Sequence, residues 1–204
     1  MTELTVVWAI PGDATRRTPL SHVTGHAEAA VLFAAWRSGD PSAFDELVDL
    51  FHPMVSRVAG RLLAQRADAE DAVQETFWRF YRSGASLRNP DLLQAWLYRA
   101  VVNVSRSIGA RARRRAEVGL EHGLAAESPS LESGALLALR EAIEAALREL
   151  TPKEREAVVL RDVENLEIRE VAKAMNVFEV TVRTHLSRGR LKLRESLAGK
   201  GVKP

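Results

Sequence analysis

The sequence predicts an all-α chain built from two small helical domains that are joined by a flexible acidic linker. Apolar residues recur with the spacing of amphipathic helices along most of the 204 residues, whereas the alternation typical of strands is scarce. Strong helix formers such as alanine, leucine, arginine and glutamate abound, and aromatic residues make up only 6% of the chain. The helical pattern is lost once in the middle of the chain, and this break divides it into two domains.

Several classes of protein are excluded by composition. The chain has no cysteine, so disulfides, thiolate metal sites and cysteine catalysis are ruled out. Its five histidines show no metal-ligand spacing, and no glycine-rich phosphate loop follows a strand. No apolar run approaches the roughly 20 residues of a membrane-spanning helix, and the N-terminus lacks the pattern of a signal peptide. We therefore expect a cytoplasmic protein that is not an enzyme, has no membrane span and holds no metal or cofactor.

Residues 1–27 are predicted to form an N-terminal extension. A short apolar stretch at residues 4–10 could form one strand or an apolar hook, and Pro11 and Gly12 break it. Two interpretations stay open from the residues alone: a loosely ordered tail, or a docking segment for a partner or for the rest of the chain.

The first domain is predicted to span residues 28–115. Its helical period begins at Glu28, Asp40 caps the next helix, and Pro53 is expected to kink or interrupt that helix. A further helix follows from Asp68, which is expected to cap it. One face of this helix is apolar, and the opposite face carries Asp71, Gln74, Glu75 and Trp78.

Trp78 is an unusual residue on an acidic helix face. Tryptophan is enriched at the energetic centres of protein interfaces, so an exposed Trp78 indicates a binding surface. The alternative is that a neighbouring element of the same chain covers its ring.

The last helix of the first domain has a basic polar face. Basic side chains on one helix face, flanked by the aromatic Trp96 and Tyr98, suit binding to a phosphate backbone with unstacked bases. The alternative is a solvated face without a partner. The candidate nucleic-acid contacts are Arg99, Asn103, Arg106, Arg111 and Arg113.

The linker is predicted at residues 116–134. This stretch loses the apolar period, contains glycine, serine and proline, and carries glutamates without any lysine or arginine from residue 117 onward.

The second domain is predicted at residues 135–200 and has the pattern of a helix-turn-helix. Thr151, Pro152 and Glu154 form a capping box with proline at the first helical position. Asn176 ends a later helix, because asparagine tolerates the left-handed conformation of a tight turn.

The final helix is predicted to bind nucleic acid. Val182, Leu186, Gly189 and Leu193 share one face, which we expect to be buried. From residue 181 to 203 there are seven lysines or arginines against one acid. Arginine can bind guanine with two hydrogen bonds, and serine or threonine can bind phosphate or base edges. The alternative is a solvated basic helix end that complements the helix dipole. The candidate residues are Thr181, Arg183, Thr184, Ser187, Arg188, Arg190 and Arg194.

Four segments together resemble the sigma-70 family of bacterial RNA polymerase specificity factors, and in particular its extracytoplasmic-function (ECF) subclass. The segments are DAEDAVQETF at residues 68–77, AWLYRAVVN at 95–103, LTPKERE at 150–156 and TVRTHLSR at 181–188. The resemblance covers residues 28–197. Two departures fall beside the final helix: Phe178 stands where relatives commonly have proline, and Val180 where they commonly have a small residue.

The resemblance implies an alternative sigma factor that binds core RNA polymerase and directs promoter-specific initiation of transcription. The face with Asp71, Gln74, Glu75 and Trp78 would bind polymerase. The loop at residues 83–89 and the basic face of the following helix would bind the minus-ten element as melted single strand, and the final helix would read the minus-thirty-five element as duplex. The acidic linker would run toward the RNA exit path. An anti-sigma factor is a further partner that such proteins can have.

A second interpretation from the sequence is a helix-turn-helix transcriptional regulator with a helical sensor or dimerisation domain. The stretch at residues 68–81 argues against it, because a simple repressor would not need such a stretch.

Overall fold

A computed structural model of the chain describes residues 20–117 and 134–199. Every regular element in these two ranges is helical, which confirms the all-α prediction. Residues 1–19, 118–133 and 200–204 lie outside them, and with them most of the predicted extension and linker. The α-helices are α1 (Leu20–Arg37), α2 (Ser42–Leu62), α3 (Arg66–Ser83), α4 (Leu93–Glu117), α5 (Gly134–Glu149), α6 (Pro152–Val158), α7 (Ile168–Met175) and α8 (Glu179–Gly199).

The first helical domain consists of α1 to α4 packed around one apolar core. Phe33, Leu47, Phe80, Leu97 and Val101 are almost completely buried there. Pro41 rather than Asp40 occupies the N-cap position of α2, although the Asp40 carboxylate accepts a hydrogen bond from the backbone N–H of Ser42 at 3.0 Å. α2 continues through Pro53, where an interruption or kink was expected. α3 begins at Arg66, two residues before the cap expected at Asp68.

The second helical domain consists of α5 to α8. The capping box at Thr151 is present: Glu154 N–H donates to the Thr151 hydroxyl at 3.4 Å, and Thr151 N–H to the Glu154 carboxylate at 3.0 Å. Asn176 ends α7 with φ of 56°, in the predicted left-handed conformation. A Cβ at Gly189 would lie 2.9 Å from Val158 Cγ2, so glycine at this position lets α8 pack closely on α6.

A π-helical turn, Val159–Val163, follows α6 and was not visible in the sequence. Such turns insert an extra residue and change the direction of the side chains beyond them. Here the turn holds Asp162 against α8 and is followed at once by Glu164, which faces the first helical domain.

Candidate nucleic-acid and protein interfaces

The four candidate residues of α3 share one outward face of that helix. Asp71, Gln74 and Trp78 are exposed and Glu75 is half-buried, with the Glu75 carboxylate accepting a hydrogen bond from Arg79 Nε at 2.7 Å. Acids and amide therefore stand beside an aromatic side chain, as the sequence predicted.

Trp78 is 55% exposed, and no element within residues 20–117 and 134–199 covers it. Its ring stacks on that of Tyr81, with centroids 6.1 Å apart and planes 18° from parallel, and Tyr81 is also 55% exposed. Tyr81 was missed in the sequence, although its i+3 spacing from Trp78 was the available signal. The pair forms an apolar platform at the end of the acidic face.

The basic face of α4 is divided by the second helical domain. Arg99, Arg111 and Arg113 are exposed, whereas Asn103 and Arg106 are half-buried. Arg106 donates to the two carboxylate oxygens of Glu156 at 3.0 and 2.6 Å. The Glu156 side chain is only 4% exposed, so this ion pair lies within the contact between the domains.

Arg106 has further partners in the same contact. It donates to Asn103 Oδ1 at 3.5 Å and to the backbone carbonyl of Met175 at 3.4 Å. The structure therefore gathers Asn103 and Arg106 toward α7 and leaves the other three candidates of α4 facing solvent.

A second ion pair joins the domains through Glu164, whose side chain is 2% exposed. Arg57 donates to its two carboxylate oxygens at 2.7 and 2.8 Å, and these hydrogen bonds raise the pKa of Arg57. The Tyr98 hydroxyl donates to the same carboxylate at 3.0 Å. Burial first, and then the negative charge of Glu164, raise the pKa of Tyr98.

The expectation that Tyr98 and Trp96 flank the basic face as stacking groups is wrong for Tyr98. Tyr98 is 2% exposed and bound to Glu164, and Trp96 packs on Phe80 with ring centroids 5.7 Å apart. The partner of Tyr98 comes from the other domain, which helical spacing within α4 could not show.

The final helix, α8, has the two faces that the sequence predicted. Val182, Leu186, Gly189 and Leu193 are buried. Among the candidates on α8, Arg183, Thr184, Ser187, Arg188 and Arg194 are exposed and Thr181 and Arg190 are half-buried.

Two basic residues of α8 are held by acids of their own domain. Arg190 donates to Asp162 Oδ2 at 3.0 Å, and this hydrogen bonding raises the pKa of Arg190. Lys192 donates to Glu154 Oε2 at 2.8 Å. Arg183 is bound to Glu179 at 3.0 Å, but both side chains are about half exposed or more, so that pair is easily exchanged.

In the part of the chain that the structure covers, no helix has the length and apolar character needed to cross a membrane.

Comparisons with known proteins match both helical domains. A family model described as "Sigma-70 region 2" matches residues 47–116, and one described as "Sigma-70, region 4" matches residues 140–193. "ECF RNA polymerase sigma factor SigE" of Mycolicibacterium smegmatis is 34% identical over 94% of this chain and 71% of its own length. "ECF RNA polymerase sigma factor SigW" of Bacillus subtilis is 30% identical over 79% of this chain and 92% of its own length.

A solved structure has a similar fold. It is that of the sigma factor RpoE in complex with the anti-sigma factor NepR from Bartonella quintana. The match has a TM-score of 0.65 and 25% identity, and it covers 76% of this chain and 96% of that one.

Proposed function

This chain belongs to the sigma-70 family, and we propose from that premise how its surfaces divide the binding of polymerase and promoter. The family relationship makes it an ECF sigma factor, an alternative sigma factor that directs the initiation of transcription. The observation that carries the proposal is that one chain holds both a region 2 and a region 4 match, each with an exposed face of suitable chemistry. The regulator alternative does not account for the region 2 match.

Core RNA polymerase is the proposed partner of the α3 face with Asp71, Gln74, Glu75 and Trp78. Its acids would repel phosphate, which makes DNA an unsuitable ligand. The exposed pair Trp78 and Tyr81 adds apolar area of the kind that dominates binding energy in protein interfaces.

The melted minus-ten element is the proposed ligand of the α4 face with Arg99, Asn103, Arg106, Arg111 and Arg113. Three of these residues, Arg99, Arg111 and Arg113, are exposed. Arg106 would bind DNA by exchanging Glu156 for phosphate. Asn103, whose side-chain oxygen accepts a hydrogen bond from Arg106, would be released at the same time. We infer that assembly on polymerase separates the two helical domains at this contact.

The duplex minus-thirty-five element is the proposed ligand of α8. The N-terminal residues Thr181, Arg183, Thr184, Ser187 and Arg188 would meet base edges in the major groove. Arg194 and Arg190 lie further along the helix and would face the phosphate backbone. Arg190 would do so only by exchanging Asp162 for phosphate.

The remaining assignments follow from this function. The chain would act in the cytoplasm, where polymerase and promoter are found, and would have no catalytic step of its own. Residues 28–115 and 135–200 would be the working domains, joined by the linker at 116–134. An anti-sigma factor is a proposed partner as well, in line with the RpoE–NepR complex.

The test is transcription in vitro with core polymerase and genomic DNA, followed by mapping of the start sites. We expect start sites that are absent with core polymerase alone and that share two spaced promoter elements. A control protein that ends at residue 178, and therefore lacks α8, should produce none of them. If the full chain adds no start site, the proposal is wrong.

A further inference from the structure

An exposed apolar pair stands at the head of α8. Phe178 is 82% exposed and Val180 is 67% exposed. Their neighbours Val177 and Thr181 are half-buried and Val182 is fully buried. The fold therefore buries other side chains at this end of α8 but leaves those of Phe178 and Val180 in solvent.

Phe178 also occupies a position where its side chain brings no benefit to the helix. Its carbonyl accepts hydrogen bonds from the backbone N–H groups of Thr181 at 3.0 Å and Val182 at 3.1 Å, so Phe178 is the residue that caps α8. Serine, threonine, aspartate or asparagine is preferred there, because a side-chain oxygen can accept a bond from the free N–H groups. Phenylalanine cannot do so, and therefore neither capping nor burial explains it.

The surroundings of Phe178 favour a polyanion. Arg169, Lys173 and Asn176 line the same surface depression as Phe178, together with Glu179, whose carboxylate is bound by Arg183 at 3.0 Å. The N-terminal end of α8 adds its positive partial charge. A ligand that meets Phe178 is thus brought into contact with several positive groups.

Val180 continues into an uncharged stripe along α8. Thr184, Ser187 and Leu191 follow at i+4, i+7 and i+11, which at about 100° per residue lie above one another. All four are exposed, Leu191 by 53%. Arg183 and Arg194 border the stripe on one side and Arg188 on the other. The uncharged stripe therefore suits the base edges on the floor of a DNA groove, and the arginines on either side suit the two rows of phosphates that border it.

We propose that Phe178 and Val180 read the 5-methyl groups of thymines in the upstream promoter duplex. The inference rests on the proposed function of α8 and names residues that add sequence preference to it. The thymine methyl is the apolar group that the major groove presents, and phenylalanine is among the side chains that contact it. Contact removes apolar surface of both partners from water, which favours thymine over cytosine at that position.

The experiment replaces thymine by deoxyuridine, which lacks only the methyl group. Holoenzyme made from this chain and core polymerase is titrated with promoter duplexes that carry one replacement at a time in the upstream element. We expect an approximately fourfold loss of affinity at one or two positions, the effect of one buried methyl group. Phe178→Ala or Val180→Ala should abolish that difference at its own position.

Two further variants keep the test independent of folding. Phe178→Ser supplies a side-chain oxygen that can cap α8, so the second helical domain should unfold at a higher temperature than in the unsubstituted protein. The preference for the thymine methyl group should nevertheless be lost. Arg194→Ala should weaken binding to every duplex and retain the preference. Thermal unfolding, followed by circular dichroism, is recorded for each variant.

The possible failures are distinguishable. If the holoenzyme binds its promoter but tolerates deoxyuridine at every position, the inference is wrong while the proposed function stands. The inference also fails if Phe178→Ala keeps the methyl preference and instead weakens assembly with polymerase or with a second copy, since Phe178 then faces protein. If the holoenzyme binds no promoter, the proposed function and this inference fail together.

Discussion

Arg106 of α4 and Glu156 of α6, 50 residues apart in sequence, are joined by two charge-assisted hydrogen bonds across the contact between the helical domains. The Glu156 side chain is 4% exposed and that of Arg106 31%. The chain thus uses, inside itself, a cation that the proposed function assigns to the minus-ten DNA. If Arg106 binds DNA as proposed, phosphate would compete with Glu156 for its guanidinium group.

Glu156→Gln should weaken the contact between the domains. The amide cannot accept two charge-assisted bonds, and Arg106 is left without a counter-charge in a partly buried site. A buried group left without its partner costs about 1–3 kcal/mol. We expect a larger radius of gyration in small-angle X-ray scattering of the free protein. Glu195→Gln removes the same charge from an exposed position on α8 and is the control. An unchanged radius for Glu156→Gln would contradict the prediction.

Tyr98 should make the stability of the protein depend on pH in the alkaline range. Burial and the charge of Glu164 raise the pKa of Tyr98 above its ordinary value of 10.0. A raised pKa in the folded state gives stability that is fully present below the unfolded pKa and is lost as pH rises through the folded pKa. We therefore expect the loss to begin above about pH 10.

The measurement for Tyr98 is the free energy of unfolding by urea at increasing pH, for the parent chain and for Tyr98→Phe. The difference between the two proteins isolates Tyr98 from the lysines that titrate in the same range. That difference should shrink as pH rises. A difference that stays constant over the whole range would refute the assignment.

Local signals in the sequence were sufficient for most of the helices but not for the π-helical turn or for the contact between the domains. The buried face with Leu186 follows from a period of 3.6 residues, and the turn at Asn176 from the tolerance of asparagine for positive φ. The bonds of Tyr98 and Arg106 to acids of the other domain have no such period, because they join residues 66 and 50 positions apart. Exposure of Trp78 likewise depended on whether another element covers it.

Arg190 and Arg194 should differ in what they do for the fold. Arg190 is bound to Asp162, whose side chain is 9% exposed, so Arg190→Ala leaves a nearly buried acid without its partner. We expect a loss of about 1–3 kcal/mol in the free energy of unfolding. Arg194 is exposed, and Arg194→Ala should change that free energy by less than about 0.5 kcal/mol. Equal losses in urea titrations of the two variants would show that the ion pair does not stabilise the domain.

Reversal of charge on the α3 face should abolish assembly with core polymerase. Asp71→Lys combined with Glu75→Lys replaces two acids that would bind polymerase with two cations. Both side chains lie outside the core, so the helical circular dichroism signal should persist. Gel filtration with core polymerase is the measurement. Asp45→Lys combined with Asp49→Lys makes the same change of charge on the exposed side of α2 and should still assemble. Co-elution of the α3 variant with core would exclude this face as the binding surface.

Arg183 and Arg188 should contribute to the choice of upstream element. Both side chains are exposed near the N-terminal end of α8, where a recognition helix reaches base edges. The bond of Arg183 to Glu179 is a surface pair that DNA can displace at little cost. Arg183→Ala or Arg188→Ala should therefore reduce the free energy of binding to promoter DNA by about 1–3 kcal/mol and relax specificity at one or two base pairs. Transcription from a promoter library with variable upstream elements measures both effects.

Arg194→Ala is the control for that experiment, because it removes the same charge from the later part of α8. If Arg194 meets phosphate alone, the variant should lose activity evenly across the library, and the salt dependence of binding should fall by about one unit in slope. Arg183 and Arg188 variants should instead change the order in which promoters are preferred. If they too lose activity evenly, α8 holds the duplex without reading it at these positions. Specificity would then depend on the minus-ten contacts of α4.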